Sequence, residues 1–141
     1  MNKRTYVDAN VLIAAFCGDA ATAARIFPIL DDSSRSFVGS HFLRLETLPK
    51  PRFHRRADEV RFIEDFLAAC GEHVAIDDAL LADAEMLASR YDLSPMDALH
   101  ASAALRAKVD EFLTLEKPER PLCRIEELPT TSLYRKMLAQ P

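Results

Sequence analysis

Four acidic residues, Asp8, Glu46, Asp97 and Glu116, fall where the chain leaves apolar segments. Asp8 lies between Thr5-Tyr6-Val7 and Ala9-Asn10-Val11-Leu12-Ile13, and Glu116 follows Glu111-Phe112-Leu113-Thr114-Leu115. Asp97 closes Ser94-Pro95-Met96-Asp97, and Glu46 falls beside the apolar positions Phe42, Leu45 and Leu48. Carboxylates gathered in one place repel unless a cation joins them, and a buried charge is costly unless paired or bound to a metal. Hard divalent ions such as Mg²⁺ or Mn²⁺ take oxygen ligands. A carboxylate cluster holding one or two of them suits phosphodiester hydrolysis. One ion makes hydroxide from water, and another, ~3.5–4 Å away, stabilises the leaving oxygen. Each acid also has a plainer reading. Asp8 suits a helix cap, Asp97 a capping box, Glu46 an exposed helix acid, and Glu116 a loop charge beside Lys117.

The elements around the acids decide whether they meet. The run into Asp8 reads as a buried central strand, with a helical turn from Asn10 to about Phe16. In open α/β sheets, ligands bind outside the carboxyl ends of the strands, which puts Asp8 at the mouth of a site. Gly18-Asp19 breaks the turn, and Ala20 to Leu30 is an alanine-rich helix disturbed by Pro28. After a short strand at Phe37-Val38, Ser40 caps a helix from His41 that Pro49 and Pro51 end. Val60, Ile63, Leu67 and Cys70 give a helix from about Arg56, stopped by Gly71. His73 to Ile76 is a second buried strand, and Asp77 or Asp78 caps a helix reaching Tyr91. Ser94 as N-cap and Pro95 at the first helical position start a helix running to about Lys108. Glu111 to Leu115 is a further strand, Leu122-Cys123-Arg124-Ile125 an edge strand, and Thr131 to Ala139 a closing helix. This alternation predicts a three-layer α/β/α sandwich with a mainly parallel central sheet, a single domain over residues 1–141.

Composition narrows the class. The chain has 141 residues, 49% of them hydrophobic, enough for a real core. No apolar run reaches the ~18 residues of a membrane span, and the N-terminus lacks the features of a signal peptide. The three cysteines, Cys17, Cys70 and Cys123, show no CxxC spacing and read as buried thiols of a cytoplasmic protein. The net charge of −4 argues against broad nucleic-acid binding. A local basic strip still stands out: Arg52, Arg55 and Arg56, with Lys50, His54, Arg61 and the aromatic Phe53. It reads either as a solvated surface or as a hold on a nucleic-acid backbone.

Tyr6-Val7-Asp8-Ala9-Asn10-Val11-Leu12-Ile13, Phe42-Leu43-Arg44-Leu45-Glu46, Pro95-Met96-Asp97-Ala98-Leu99-His100-Ala101-Ser102 and Phe112-Leu113-Thr114-Leu115-Glu116 together resemble the PIN-domain nucleases. In size and layout the likeness is to the VapC-like toxins of bacterial toxin–antitoxin pairs, and it covers essentially the whole chain. The resemblance implies a Mg²⁺ or Mn²⁺ site, cleavage of single-stranded RNA, a homodimer and a small antitoxin that blocks the site. Asp8, Glu46 and Asp97 match the three core acids of the family, and Asn10 and Thr114 match positions that support the site by hydrogen bonding. The fourth acid of the family is usually Asp after a Thr-x pair. Here it is Glu116, a departure that bears on a second metal more than on the first. Arg52, Arg55 and Arg56 are the expected hold on RNA, and a face with Phe62 and Phe66, if exposed, is the candidate dimer surface. His100, on the face of Asp97, reads as a satisfied helical histidine, and Asp92 and Asp110 as structural.

Two other readings stand beside this one. Asp8-Ala9-Asn10-Val11 is near the DxDx(T/V) opening of haloacid-dehalogenase-type phosphatases, but the second acid is Asn10. The replacement at Glu116 also leaves room for a PIN-like binding module that has lost its activity.

Overall fold

The computed structural model describes residues 2–135. Five strands form one sheet: β1 (Lys3–Val7), β2 (Arg35–Ser40), β3 (Glu72–Val74), β4 (Glu111–Thr114) and β5 (Thr130–Ser132). Their order is β3-β2-β1-β4-β5, and every neighbouring pair is parallel. The chain steps outward from β1 to β2 and β3, then returns to lay β4 against the other side of β1. The direction of winding therefore reverses between β1 and β4.

Among the described residues seven α-helices accompany the sheet: α1 (Ala9–Cys17), α2 (Ala20–Leu30), α3 (His41–Thr47), α4 (Pro49–Phe53), α5 (Ala57–Ala69), α6 (Asp78–Tyr91) and α7 (Pro95–Arg106). Alternation along the strands divides the core into two layers. Tyr6, Val38, Val74 and Phe112 face α6 and the alanine-rich α7. Val7 and Leu113 face the opposite way, toward Leu12, Ile26, Leu43, Ile63 and Leu67 of α1, α2, α3 and α5. This is the expected α/β sandwich, and its sheet is parallel throughout. None of the helices among the described residues is long and apolar enough to cross a membrane.

Several local expectations are corrected. Leu122 to Ile125 is no edge strand: Pro121–Arg124 is a 3-10 turn whose Leu122 is buried in the core. The edge strand is β5, so Thr131 does not begin a closing helix, and the rest of that expected helix, residues 136–139, lies outside the described residues. Pro49 does not end helical structure but occupies the start of α4, where its missing N–H costs nothing. Leu45 is exposed, and the buried face of α3 carries Phe42 and Leu43 instead. The strand at His73 stops at Val74, leaving Ile76 exposed.

Of the thiols only Cys70 is buried; Cys17 is exposed and Cys123 partly so, and all three are free. Phe62 and Phe66 are each partly buried. Phe62 packs edge-on against Phe27 and beside Phe16, and Phe66 edge-on against Phe37. α4, α6 and α7 are each followed by a residue of positive φ, Arg55, Asp92 and Lys108, and none of these is glycine. Asp92 is thus a C-cap, and Asp110 accepts the backbone N–H of Arg4, so both are structural as expected.

Candidate active site

The carboxyl ends of β1 and β4 meet where the winding reverses, which is where an open parallel sheet leaves a crevice. Asp8 follows β1 directly and is 5% exposed. Its Oδ1 accepts the N–H of Ala9 at 2.8 Å, so it does cap α1. The cap and the site are not alternatives: one oxygen holds the helix while the other turns toward β4. There Thr114 Oγ1 donates to Asp8 Oδ2 at 2.9 Å. Thr114 Oγ1 also accepts the N–H of Glu116 at 3.1 Å and the Asn10 amide at 3.4 Å. Asn10 Oδ1 in turn accepts the N–H of Leu115 at 3.1 Å. Asn10 and Thr114 thus tie the two strand ends together.

Two acids come from other elements. Ser40, the last residue of β2, caps α3 by accepting the N–H of Leu43 at 3.1 Å, and α3 carries Glu46. Ser94 caps α7 by accepting the N–H of Asp97 at 3.3 Å, which holds Asp97 in the first turn of that helix. α3 packs against α7. Glu46 Oε1 meets Nε2 of the fully buried His100 at 2.6 Å. His100 Nδ1 lies 2.7 Å from the Tyr6 hydroxyl, which lies 2.6 Å from Ser40 Oγ. Both ring nitrogens of His100 are therefore engaged, and it is satisfied, as expected.

The electrostatics bring the acids into one neighbourhood. Burial pushes the carboxyl of Asp8 up from 3.8 to about 6; the His100 ring and the Thr114 hydroxyl pull it back, and the charges of Asp97 and Glu46 push it further up. Burial also raises Asp97, with Glu46 adding to the rise and Ser94 and His100 opposing it. Glu116 joins through Cys123, whose thiol is raised first by burial and then by Glu116, Asp8 and Asp97. Among the described residues no lysine or arginine pairs with Asp8, Glu46, Asp97 or Glu116. Nor do any three His, Cys, Asp or Glu side chains there stand close enough to enclose a metal ion. The free oxygens nevertheless suit a hard divalent ion, since Mg²⁺ is commonly held by one or two carboxylates and keeps several waters. A buried carboxylate with no lysine or arginine partner supplies the charge for it.

Sequence reasoning missed Tyr6, Ser40 and Cys123. The first two are separated by 34 residues and reach the site only because β1 and β2 are neighbours. The basic strip lies on α4 and the start of α5. Arg52 is paired with Glu64 at 2.6 Å and Arg56 with Glu59 at 3.3 Å. Arg55 is exposed and makes no ion pair among the described residues. A separate cleft of about 890 Å³ between α6 and α7, lined by Met86, Leu87, Arg90 and Leu105, contains none of the four acids.

Removing the hydroxyl of Thr114 tests the support. Thr114→Val leaves the N–H of Glu116 and one oxygen of Asp8 without their partner. A loss of about 1–3 kcal/mol in unfolding free energy is expected, measured by urea denaturation.

The PIN-domain family model matches residues 5–117, and the chain belongs to that family. This membership sets aside the phosphatase alternative. The fold is similar to a chain in the crystal structure of VapBC2 from Rickettsia felis bound to a DNA fragment from their promoter. That match has a TM-score of 0.66 and 12% identity, and covers 92% of this chain and 98% of the other. It is also similar to the crystal structure of PAE2754 from Pyrobaculum aerophilum, with a TM-score of 0.59, 18% identity and 92% coverage of each chain. No curated protein matches the sequence.

Proposed function

We propose that the protein is a Mg²⁺- or Mn²⁺-dependent endoribonuclease and the toxin of a toxin–antitoxin pair. The observation that carries this reading is Asp8, a buried carboxylate at the switch point of a parallel sheet, with the further acids Asp97 and Glu46 in its neighbourhood. Asp8, Glu46 and Asp97 would hold the ion. When bound it supplies a Lewis acid that activates water and stabilises charge on the phosphate oxygens. Thr114 keeps one oxygen of Asp8 oriented, and Asn10 keeps β4 in register with it. Glu116, anchored through its backbone N–H, would orient water or help to hold a second ion. The family membership and the likeness to a VapBC2 chain support a nuclease of toxin type, with an antitoxin as partner. We extend the same reading to a homodimer acting in the cytoplasm.

The test is cleavage of single-stranded RNA by the purified protein with Mg²⁺ or Mn²⁺ and with EDTA. Cleavage should require the ion; cleavage unchanged in EDTA contradicts the reading. RNA should be held chiefly by Arg55, because Arg52 and Arg56 are already paired with acids. Arg55→Gln should weaken RNA binding and lower the slope of log affinity against log salt by about 0.7. An unaltered slope in a filter-binding titration would exclude Arg55 from the phosphate contacts.

A further inference from the structure

We propose that Ser40, Tyr6 and His100 form a one-way hydrogen-bond chain that positions the Glu46 carboxylate for the metal ion, making His100 a positioning residue. The inference rests on the metal-site reading above and adds how one of its ligands is held.

The direction of the chain follows from counting protons. A carboxylate accepts and does not donate, so at 2.6 Å from Glu46 Oε1 the Nε2 of His100 must be the donor. A one-way chain takes the ring as neutral: Nδ1 is then the acceptor, and the proton between it and Tyr6, 2.7 Å away, belongs to the phenol. The Tyr6 oxygen, having donated, accepts from Ser40 Oγ at 2.6 Å. Ser40 Oγ itself accepts the N–H of Leu43 at 3.1 Å, within the helix that carries Glu46. Protons thus run from Ser40 to Tyr6 to His100 to Glu46, and each hydroxyl and ring nitrogen has a partner. Tyr6, Ser40 and His100 are each 0% exposed, so the links are closed to bulk water.

The end of the chain is what needs holding. Glu46 is on the short helix α3, and its side chain is 33% exposed. A glutamate left free there loses rotamer entropy of up to roughly 2 kcal/mol on being fixed. His100 fixes Oε1 in advance, and Glu46 would hold the ion through the remainder of its carboxylate. His100 is itself fixed in the core by Tyr6, whose ring stacks on Phe112 at 5.5 Å between centroids. Partners that orient ligands in this way typically contribute 10–100-fold in metal affinity or activity.

The test uses Tyr6→Phe, which keeps the stacked ring and removes only the hydroxyl, together with nitrogen-15 spectra of the parent imidazole without metal. In the parent, His100 should be the neutral ring protonated at Nε2 and not at Nδ1. Tyr6→Phe should weaken Mn²⁺ binding by about tenfold in titration calorimetry. It should also lower kcat and leave KM for RNA unchanged. A parent ring protonated at Nδ1, whether neutral or as the imidazolium, overturns the chain whatever the variant does. A parent that binds Mn²⁺ and a Tyr6→Phe that binds it equally overturn the positioning role alone. A parent that binds no Mn²⁺ overturns the metal-site reading and this role with it.

Discussion

Asp8→Asn is expected to lower RNA cleavage by roughly 10³-fold or more, because it removes the charge from the ligand at the centre of the proposed site. The same substitution should leave the fold intact. Asn caps helices as well as Asp does, so Oδ1 still accepts the N–H of Ala9, and only the Thr114 hydroxyl loses its acceptor. Without metal the variant should even be more stable than the parent near neutral pH, since an ionised buried carboxylate is gone. The rise should be on the order of 2 kcal/mol. Cleavage kinetics and urea denaturation in EDTA measure the two effects on one preparation. A variant that cleaves like the parent would remove Asp8 from the chemistry. A variant destabilised in EDTA near neutral pH would mean that the carboxylate serves the fold rather than the site.

The second large effect is on stability against pH. Asp8 has a folded value of about 6 against 3.8 for the ordinary group. A raised acid stabilises the fold below its unfolded value, and that contribution is lost as pH rises through the folded one. Asp97 is shifted in the same direction. Asp19, Asp32, Asp77 and Glu111 are shifted down, so their contribution is lost only at more acid pH. The metal-free protein should therefore lose stability between about pH 4 and pH 6, by on the order of 3 kcal/mol from Asp8. Saturating Mn²⁺ should remove or reverse the decline, because the ion binds the ionised acids of the folded state and stabilises it by mass action. Urea denaturation across this range, with EDTA and with Mn²⁺, reads both slopes. Parallel profiles in the two conditions would contradict binding at these carboxylates.

What the sequence made legible was local. Asp8 before a helix, Ser40 before another, and Ser94-Pro95 two residues ahead of Asp97 are capping signals that act within a few residues, and each held. The parallel sheet followed from the alternation of strands and helices. The misreadings lie where distant partners decide. β5 is three residues long and is a strand because β4 pairs with it, which no local pattern carries. Leu122 is buried in a 3-10 turn, since a four-residue run with two apolar positions does not distinguish turn from strand. On α3, helical spacing allowed Leu45 or Leu43 to face inward, and packing against α1 and α7 chose Leu43. The site shows the same division. The acids were visible through their order along the chain. The bond between His100 and Tyr6, 94 residues apart, was not, because a buried histidine on an alanine-rich helix carries no mark of its partner.

Anomalous scattering from a crystal of the protein saturated with Mn²⁺ tests the central claim most directly. The account predicts an ion at the carboxyl end of the sheet, coordinated by Asp8 and by Glu46 or Asp97, with water completing its shell. A saturated crystal with Mn²⁺ bound elsewhere, and none among these acids, would contradict it.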